Sequence, residues 1–245
     1  GCPHTERFSR QPIAMKIERV EAWPVTMRLG SPYTAAYDTL ETTTNVFLRI
    51  VTDRRFVGYG CAAPDDQVTG ETPEEALEAI GKVVEPTIRG ADPLRSALLV
   101  EQLRPALQEQ PSAQAAVDMA LVDILGKKCD LPAWKLLGGY RNSIRTSVTI
   151  GILPEDETVE QARQWVKRGF QALKLKGGLD AESDAARVLK VREAVGDEIE
   201  LRLDANQGFS IEQALRFIDQ TVPARLELLE QPTQQGQFEQ LGQVA

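Results

Sequence analysis

The sequence predicts an α/β protein in two parts: an N-terminal α+β capping domain, then the first half of a TIM-like (β/α) barrel. Three observations carry this reading. Four short apolar runs, RTSVTIG (145–151), ALKLKGG (172–178), LRLDANQG (201–208) and LELLEQP (226–232), alternate with amphipathic stretches, a pattern that gives right-handed βαβ units and a parallel sheet. Polar groups close these runs, 28 residues apart from Lys176 to Asp204 and 26 from Asp204 to Glu230. A barrel of about 250 residues in eight units allots roughly 31 to each. Before Arg141 the texture differs, with a few strands and then helices but no such period.

Residues 1–14, GCPHTERFSRQPIA, lack the apolar core of a signal peptide and read as a disordered lead-in, with Met15 a natural start. The capping domain is expected over 15–141. It opens with a strand, KIERVEAWPV, and continues through RLGSPYTAAYDTLETTT, small, polar and Thr-rich, expected as a mobile loop. NVFLRIVTD and RRFVGYGCA follow as strands. Thr72-Pro73-Glu74-Glu75 combines an N-cap, a first-turn proline and a glutamate three residues on. Helices are predicted over about 73–89, 94–108 and 112–129. The half-barrel is expected over 142–245, with Thr158–Gln161 and Ser210–Gln213 as two more capping boxes. From Gly236 a fourth helix begins, with Phe238, Leu241 and Val244 on one side.

Composition narrows the function. A chain of 245 residues, 42% hydrophobic, can bury a substantial core. Its net charge of −8 and dispersed cations argue against a nucleic-acid partner. No apolar run approaches the ~20 residues that span a bilayer, so no membrane association is expected. Cys2, Cys61 and Cys129 form neither a disulfide framework nor a zinc pattern, which fits a reducing cytoplasm. The single histidine, His4, excludes most histidine-based triads and zinc sites.

In a strand, residues i and i+2 share a face. Lys174 and Lys176 therefore point one way while Leu173 and Leu175 point to the helices. The same parity groups Asp204 with Asn206 and sets Glu230 at its strand end. Singly, a lysine pair near a strand end is usually a solvated edge, and a carboxylate there a helix cap. Together, at βα spacing, they suggest a metal-assisted proton-transfer site. Removing a proton α to a carboxylate leaves a doubly charged enediolate, which a hard cation such as Mg²⁺ held by carboxylates can stabilise. A lysine beside that cation and a second lysine is held partly neutral and can act as the base.

LKLKGG, LRLDANQGFS and LLEQP resemble the second, third and fourth barrel-strand motifs of the muconate-lactonizing branch of the enolase superfamily. SAQAAVDMALVDILGKKCDLPAWKLLGGYRNSIRTSVTIG and VTGET (68–72) are similar to the linking segment and a cap loop of its dipeptide epimerases, particularly the alanyl-glutamate type. The resemblance runs from Lys16 to the C-terminus. It implies a Mg²⁺-dependent isomerase that removes and returns the proton α to a carboxylate of a small molecule, most closely a dipeptide. It further implies Lys176 as acid/base, Lys174 as catalytic neighbour and substrate-carboxylate contact, Asp204 and Glu230 as metal ligands, Asn206 behind them, and Thr149 at the substrate.

Three departures qualify it. The family's third metal ligand and opposing lysine belong to fifth and sixth barrel strands, beyond Ala245. Cys61 stands where many relatives carry glutamate. Asp38 stands where alanyl-glutamate epimerases place an arginine, which inverts the pocket charge and implies a neutral or cationic second residue in the substrate. The alternatives are o-succinylbenzoate synthase or N-succinylamino acid racemase, muconate cycloisomerase, and an inactive truncated relative. A half-barrel exposes sheet edges, so a homo-oligomer is expected, and the chain alone is expected to lack the complete catalytic set.

Overall fold

The computed structural model describes residues 15–34 and 39–245. The lead-in at 1–14 and Asp38 lie outside the described residues. Two compact units emerge: one from Thr42–Tyr140 with the chain up to Met27, the other from Arg141–Ala245 with Arg28–Glu41.

The first holds most of a sheet formed by β1 (Ile17–Thr34), β2 (Thr39–Thr52) and β3 (Val57–Ala62) in that order. Strands β2 and β3 are antiparallel, from Val46 opposite Ala62 to Val51 opposite Val57. The loop expected over 28–44 is largely strand, up to Thr34 and again from Thr39. Its threonines suit a pleated surface, and the paired strands meet through side chains: Thr26 and Thr44 hydroxyls lie 2.9 Å apart, and Trp23 stacks on Phe47 at 6.3 Å.

Helix α1 (Pro73–Ala79), a wider π turn over Ile80–Val84 and α2 (Glu85–Ile88) fill the first predicted helical span. Thr72 accepts from the Glu75 amide, and the Glu75 carboxylate accepts from the Thr72 amide, closing the predicted box. Then come α3 (Ser96–Leu103), α4 (Pro111–Cys129) and α5 (Ala133–Leu136). The core joins Val46, Leu48 and Ile50 of β2 to Leu99, Leu121 and Ile124 of the helices. Strand β3 lies close on α4 because Gly58 and Gly60 face it; a Cβ at Gly60 would sit 1.9 Å from the Ala116 carbonyl oxygen. Buried Glu71 accepts from the Ser112 amide and hydroxyl at 2.7 and 2.6 Å, satisfying the start of α4.

The second unit alternates β4 (Val148–Ile150), α6 (Glu155–Lys167), β5 (Ala172–Lys176), α7 (Ala181–Val195), β6 (Glu200–Asp204), α8 (Ile211–Thr221), β7 (Leu228–Glu230) and α9 (Phe238–Val244). Its sheet runs β4-β5-β6-β7, all parallel. The parity reading holds: Leu173, Leu175, Leu201 and Leu203 are fully buried in one cluster with Ala162, Val188 and Phe217 from the helices. The Ser210 box forms as predicted. The Thr158 box does not. Helix α6 starts earlier, behind Pro154, with Glu155, Asp156 and Glu157 in its first turn, where acidic groups oppose the helix dipole. Thr158 is then interior, and its hydroxyl donates back to the Pro154 carbonyl at 2.9 Å. Among the described residues no helix is long and apolar enough to cross a membrane.

Candidate active site

The strand ends of the second sheet meet in register. Lys176 of β5 lies beside Asp204 of β6, which lies beside Glu230 of β7. One layer below, Thr149, Lys174 and Arg202 align. Parallel pairing keeps registered residues on one face, so the polar groups collect opposite the leucines. Lys176 Nζ donates to Asp204 Oδ2 at 2.8 Å; Lys174 Nζ reaches the same oxygen at 2.9 Å and Glu230 Oε2 at 2.7 Å. Asp204 is 2% exposed, and its other oxygen accepts from the Asn206 amide at 3.0 Å.

The loops beyond hold these groups still. Ala205, Gln207 and Phe209 amides donate to the carbonyls of Glu230, Gln231 and Pro232, so the turn after β6 is stitched to the turn after β7. Asn206, Gln207 and Gln231 adopt left-handed backbone angles, φ +46, +69 and +42. Such conformations are disfavoured for side-chain-bearing residues and gather at functional sites.

The electrostatics of Lys174 and Asp204 follow from their mutual contacts. Burial works against the Lys174 ammonium, but hydrogen bonds to Glu230 and Asp204 outweigh it, and its pKa is raised. Facing two carboxylates, Lys174 is favoured as the ammonium. Burial likewise opposes the Asp204 carboxylate, yet hydrogen bonds from Lys176, Lys174 and the Asn206 amide hold its pKa below the usual range.

The donor chemistry fits a hard divalent cation. Two carboxylates on neighbouring strands converge on one positive charge, the Lys174 ammonium. Carboxylate oxygen is the ligand that Mg²⁺ prefers. Asn206 Oδ1 is buried with no hydrogen-bond partner among the described residues, a cost such a site would explain. No cluster of three or more His, Cys, Asp or Glu forms among the described residues.

The structure thus brings together Lys174, Lys176, Asp204, Glu230 and Asn206, with Thr149 exposed and in register beside Lys174. Asp38 lies outside the described residues. Sequence reasoning passed over Asp184 and Arg187, buried on α7 directly behind the end of β5. Their signal was present: an acid and a base one helical turn apart, shortly after two glycines, among the buried Ala181, Ala185, Val188 and Val191 of α7.

The family pattern "Mandelate racemase / muconate lactonizing enzyme, N-terminal domain" matches residues 17–138, and "Enolase C-terminal domain-like" matches 157–245. The L-Lys-D/L-Arg epimerase of Desulforapulum autotrophicum is 37% identical over 94% of this chain and 65% of its own length. A dipeptide epimerase from Enterococcus faecalis, crystallised with Mg and L-Leu-L-Tyr, superposes with a TM-score of 0.91 at 37% identity, covering 94% of this chain and 64% of that one. The substrate-liganded L-Ala-D/L-Glu epimerase of Bacillus subtilis gives 0.91 at 34%, over 94% and 65%. The chain spans slightly under two thirds of the length of these relatives.

Proposed function

The chain belongs to the mandelate racemase/muconate lactonizing enzyme family, and from that premise we propose that it is the part of a dipeptide epimerase that carries one acid/base and two metal ligands. The observation that supports this best is the convergence of Lys174, Lys176, Asp204 and Glu230 at three adjacent strand ends. Lys176 takes the α-proton in its amine form and returns it from the ammonium. Lys174, kept charged by its carboxylates, holds the substrate carboxylate and orients the α-carbon. Asp204 and Glu230 would hold Mg²⁺, with Asn206 behind them, and Thr149 would line the substrate. When bound, the ion would supply positive charge that offsets the negative charge building on the substrate as its α-proton leaves. A second lysine, implied by the resemblance on a later barrel strand, serves the other face. The odd, scattered cysteines fit work in the cytoplasm.

Asp38 sets the substrate preference. An acidic second residue meets like charge there, whereas a cationic one gains a partner; the relative of Desulforapulum autotrophicum acts on L-Lys-D/L-Arg by name. The test is deuterium incorporation at the α-carbon. The full-length protein is incubated in D₂O with Mg²⁺, a set of L,L-dipeptides and N-succinyl amino acids. Dipeptides with Lys or Arg second should exchange fastest, and Asp38→Arg should shift preference toward Glu. Exchange only in N-succinyl amino acids would replace the epimerase reading with that of a racemase. No exchange in any substrate would end both.

A further inference from the structure

We propose that the buried Asp184–Arg187 pair of α7 is a positioning device for Lys176, gripping the backbone on both sides of the Gly177 turn so that the lysine is held on Asp204. The inference rests on the proposed role of Lys176.

Four contacts define the device. Arg187 Nη2 donates to the Lys176 carbonyl at 2.7 Å and to Asp184 Oδ1 at 2.5 Å. Asp184 Oδ2 accepts from the Gly178 amide at 2.7 Å. Between them, the Gly177 amide donates to the Asp204 carbonyl at 2.9 Å. The Lys176 carbonyl and the Gly178 amide are thus taken by a buried ion pair on one side, and the Gly177 amide by the strand of Asp204 on the other. The turn has no slack. A Cβ at Gly177 would stand 2.6 Å from Asp184 Oδ2, and one at Gly178, already at φ +104, would stand 1.9 Å from the Ala205 carbonyl oxygen.

Stability alone does not account for the pair. Asp184 and Arg187 are 3% and 5% exposed, and burying two charges forfeits hydration that apolar side chains of similar size would never need. Arg187 Nη1 is also buried with no hydrogen-bond partner among the described residues, so the guanidinium is only partly satisfied. What the pair provides is direction. A charged fork fixes one carbonyl and one amide, where apolar packing would leave the strand end free to shift. Proton transfer is sensitive to displacement on that scale, since a misplacement near 1 Å can cost about 100-fold.

The test uses full-length protein with Arg187→Met, Arg187→Lys, Asp184→Asn and the double variant Asp184→Leu/Arg187→Met. The readouts are the kcat and KM of α-deuterium exchange, thermal melting, and amide hydrogen exchange at Gly178. Arg187→Met should lower kcat about 100-fold with KM unchanged, the mark of an interaction made at the transition state and not in ground-state binding. Arg187→Lys, which keeps a donor, should recover most of it. Asp184→Asn should lose protection at the Gly178 amide. The double variant, relieved of buried charge, should melt near the wild type and still exchange slowly. Restored kcat in the double variant, or a kcat that simply follows melting across the set, would overturn the proposal. If wild-type protein exchanges no substrate, the proposed function fails by itself. The pair is then judged by a crystal structure of the double variant, and a Lys176 Nζ–Asp204 distance unchanged from 2.8 Å would refute positioning.

Discussion

The two units bury different things. Among the described residues of the unit of β1–β3 and α1–α5 the buried polar ones are Thr52, Glu71 and Ser112, and the last two satisfy one another at a helix start. In the unit of β4–β7 they include Lys176, Asp184, Arg187, Arg192 and Asp204. Some of these charges are structural. Arg192 donates to the carbonyls of Ala224, Gly196 and Ile199 and ties the far end of α7 to its neighbours. The others crowd the ends of β5 and β6. Desolvated charge is expensive, so a fold that gathers Lys176, Asp184, Arg187 and Asp204 at one rim, while Glu71 is the one buried charge among the described residues of the other unit, has divided its work. One unit is held by fit between apolar and small side chains; the other spends part of that stability on a preorganised polar site.

The sharpest way to break this contrast is Lys176→Ala. The full-length protein should lose about 10²–10⁴-fold of α-hydrogen exchange from the face Lys176 serves, with only a small shift in melting. Exchange at the wild-type rate from both faces would remove Lys176 from the chemistry.

Leu121→Ala should do the opposite. Leu121 is fully buried in α4, and its truncation should destabilise the first unit by about 2–5 kcal/mol, read by urea denaturation, while kcat of the folded fraction stays level. A loss under about 1 kcal/mol would show that this core is not closely packed.

Asp204→Asn tests the site as a cation holder. Calorimetric Mg²⁺ affinity should fall by more than the roughly 10–100-fold that follows loss of an outer-shell partner. Equal affinities in variant and wild type would remove Asp204 from the metal site.

The smallest effect is in the pH dependence of stability. Asp204 is depressed in the fold, so its contribution is present above its unfolded pKa, near 4, and is lost as pH falls through the lower folded value. Lys174 is raised, so its share is complete below about pH 10 and fades as pH rises through the higher folded value. In the first unit, Glu75 is depressed by hydrogen bonds from the Thr72 amide and hydroxyl and acts on the acid limb alone. Asp204→Asn should therefore flatten both limbs for the second unit, and Glu75→Gln only the acid limb for the first. A Glu75→Gln variant that also altered the alkaline limb would contradict the assignment.

What the amino-acid sequence determined by itself was whatever repeats along the chain. The βα period located β5, β6 and β7, and strand parity separated Lys174 and Lys176 from Leu173 and Leu175, because a pleat has period two whatever surrounds it. The Thr72 and Ser210 caps were legible for the same reason, being complete within four residues. Tertiary structure decided what depends on partners far away in sequence. The span 28–44 looked like a loop because its polarity was visible and its strand partner was not. Thr158 looked like a cap because the pattern of a capping box does not reveal where the preceding proline lets a helix begin. The Asp184–Arg187 pair drew no reading, because the turn at Gly177 that it holds is visible only in the fold. The pKa of Lys174 is raised because a second carboxylate, Glu230, reaches it from 56 residues away in the sequence. Local pattern sets which faces exist; only packing determines which charges meet on them.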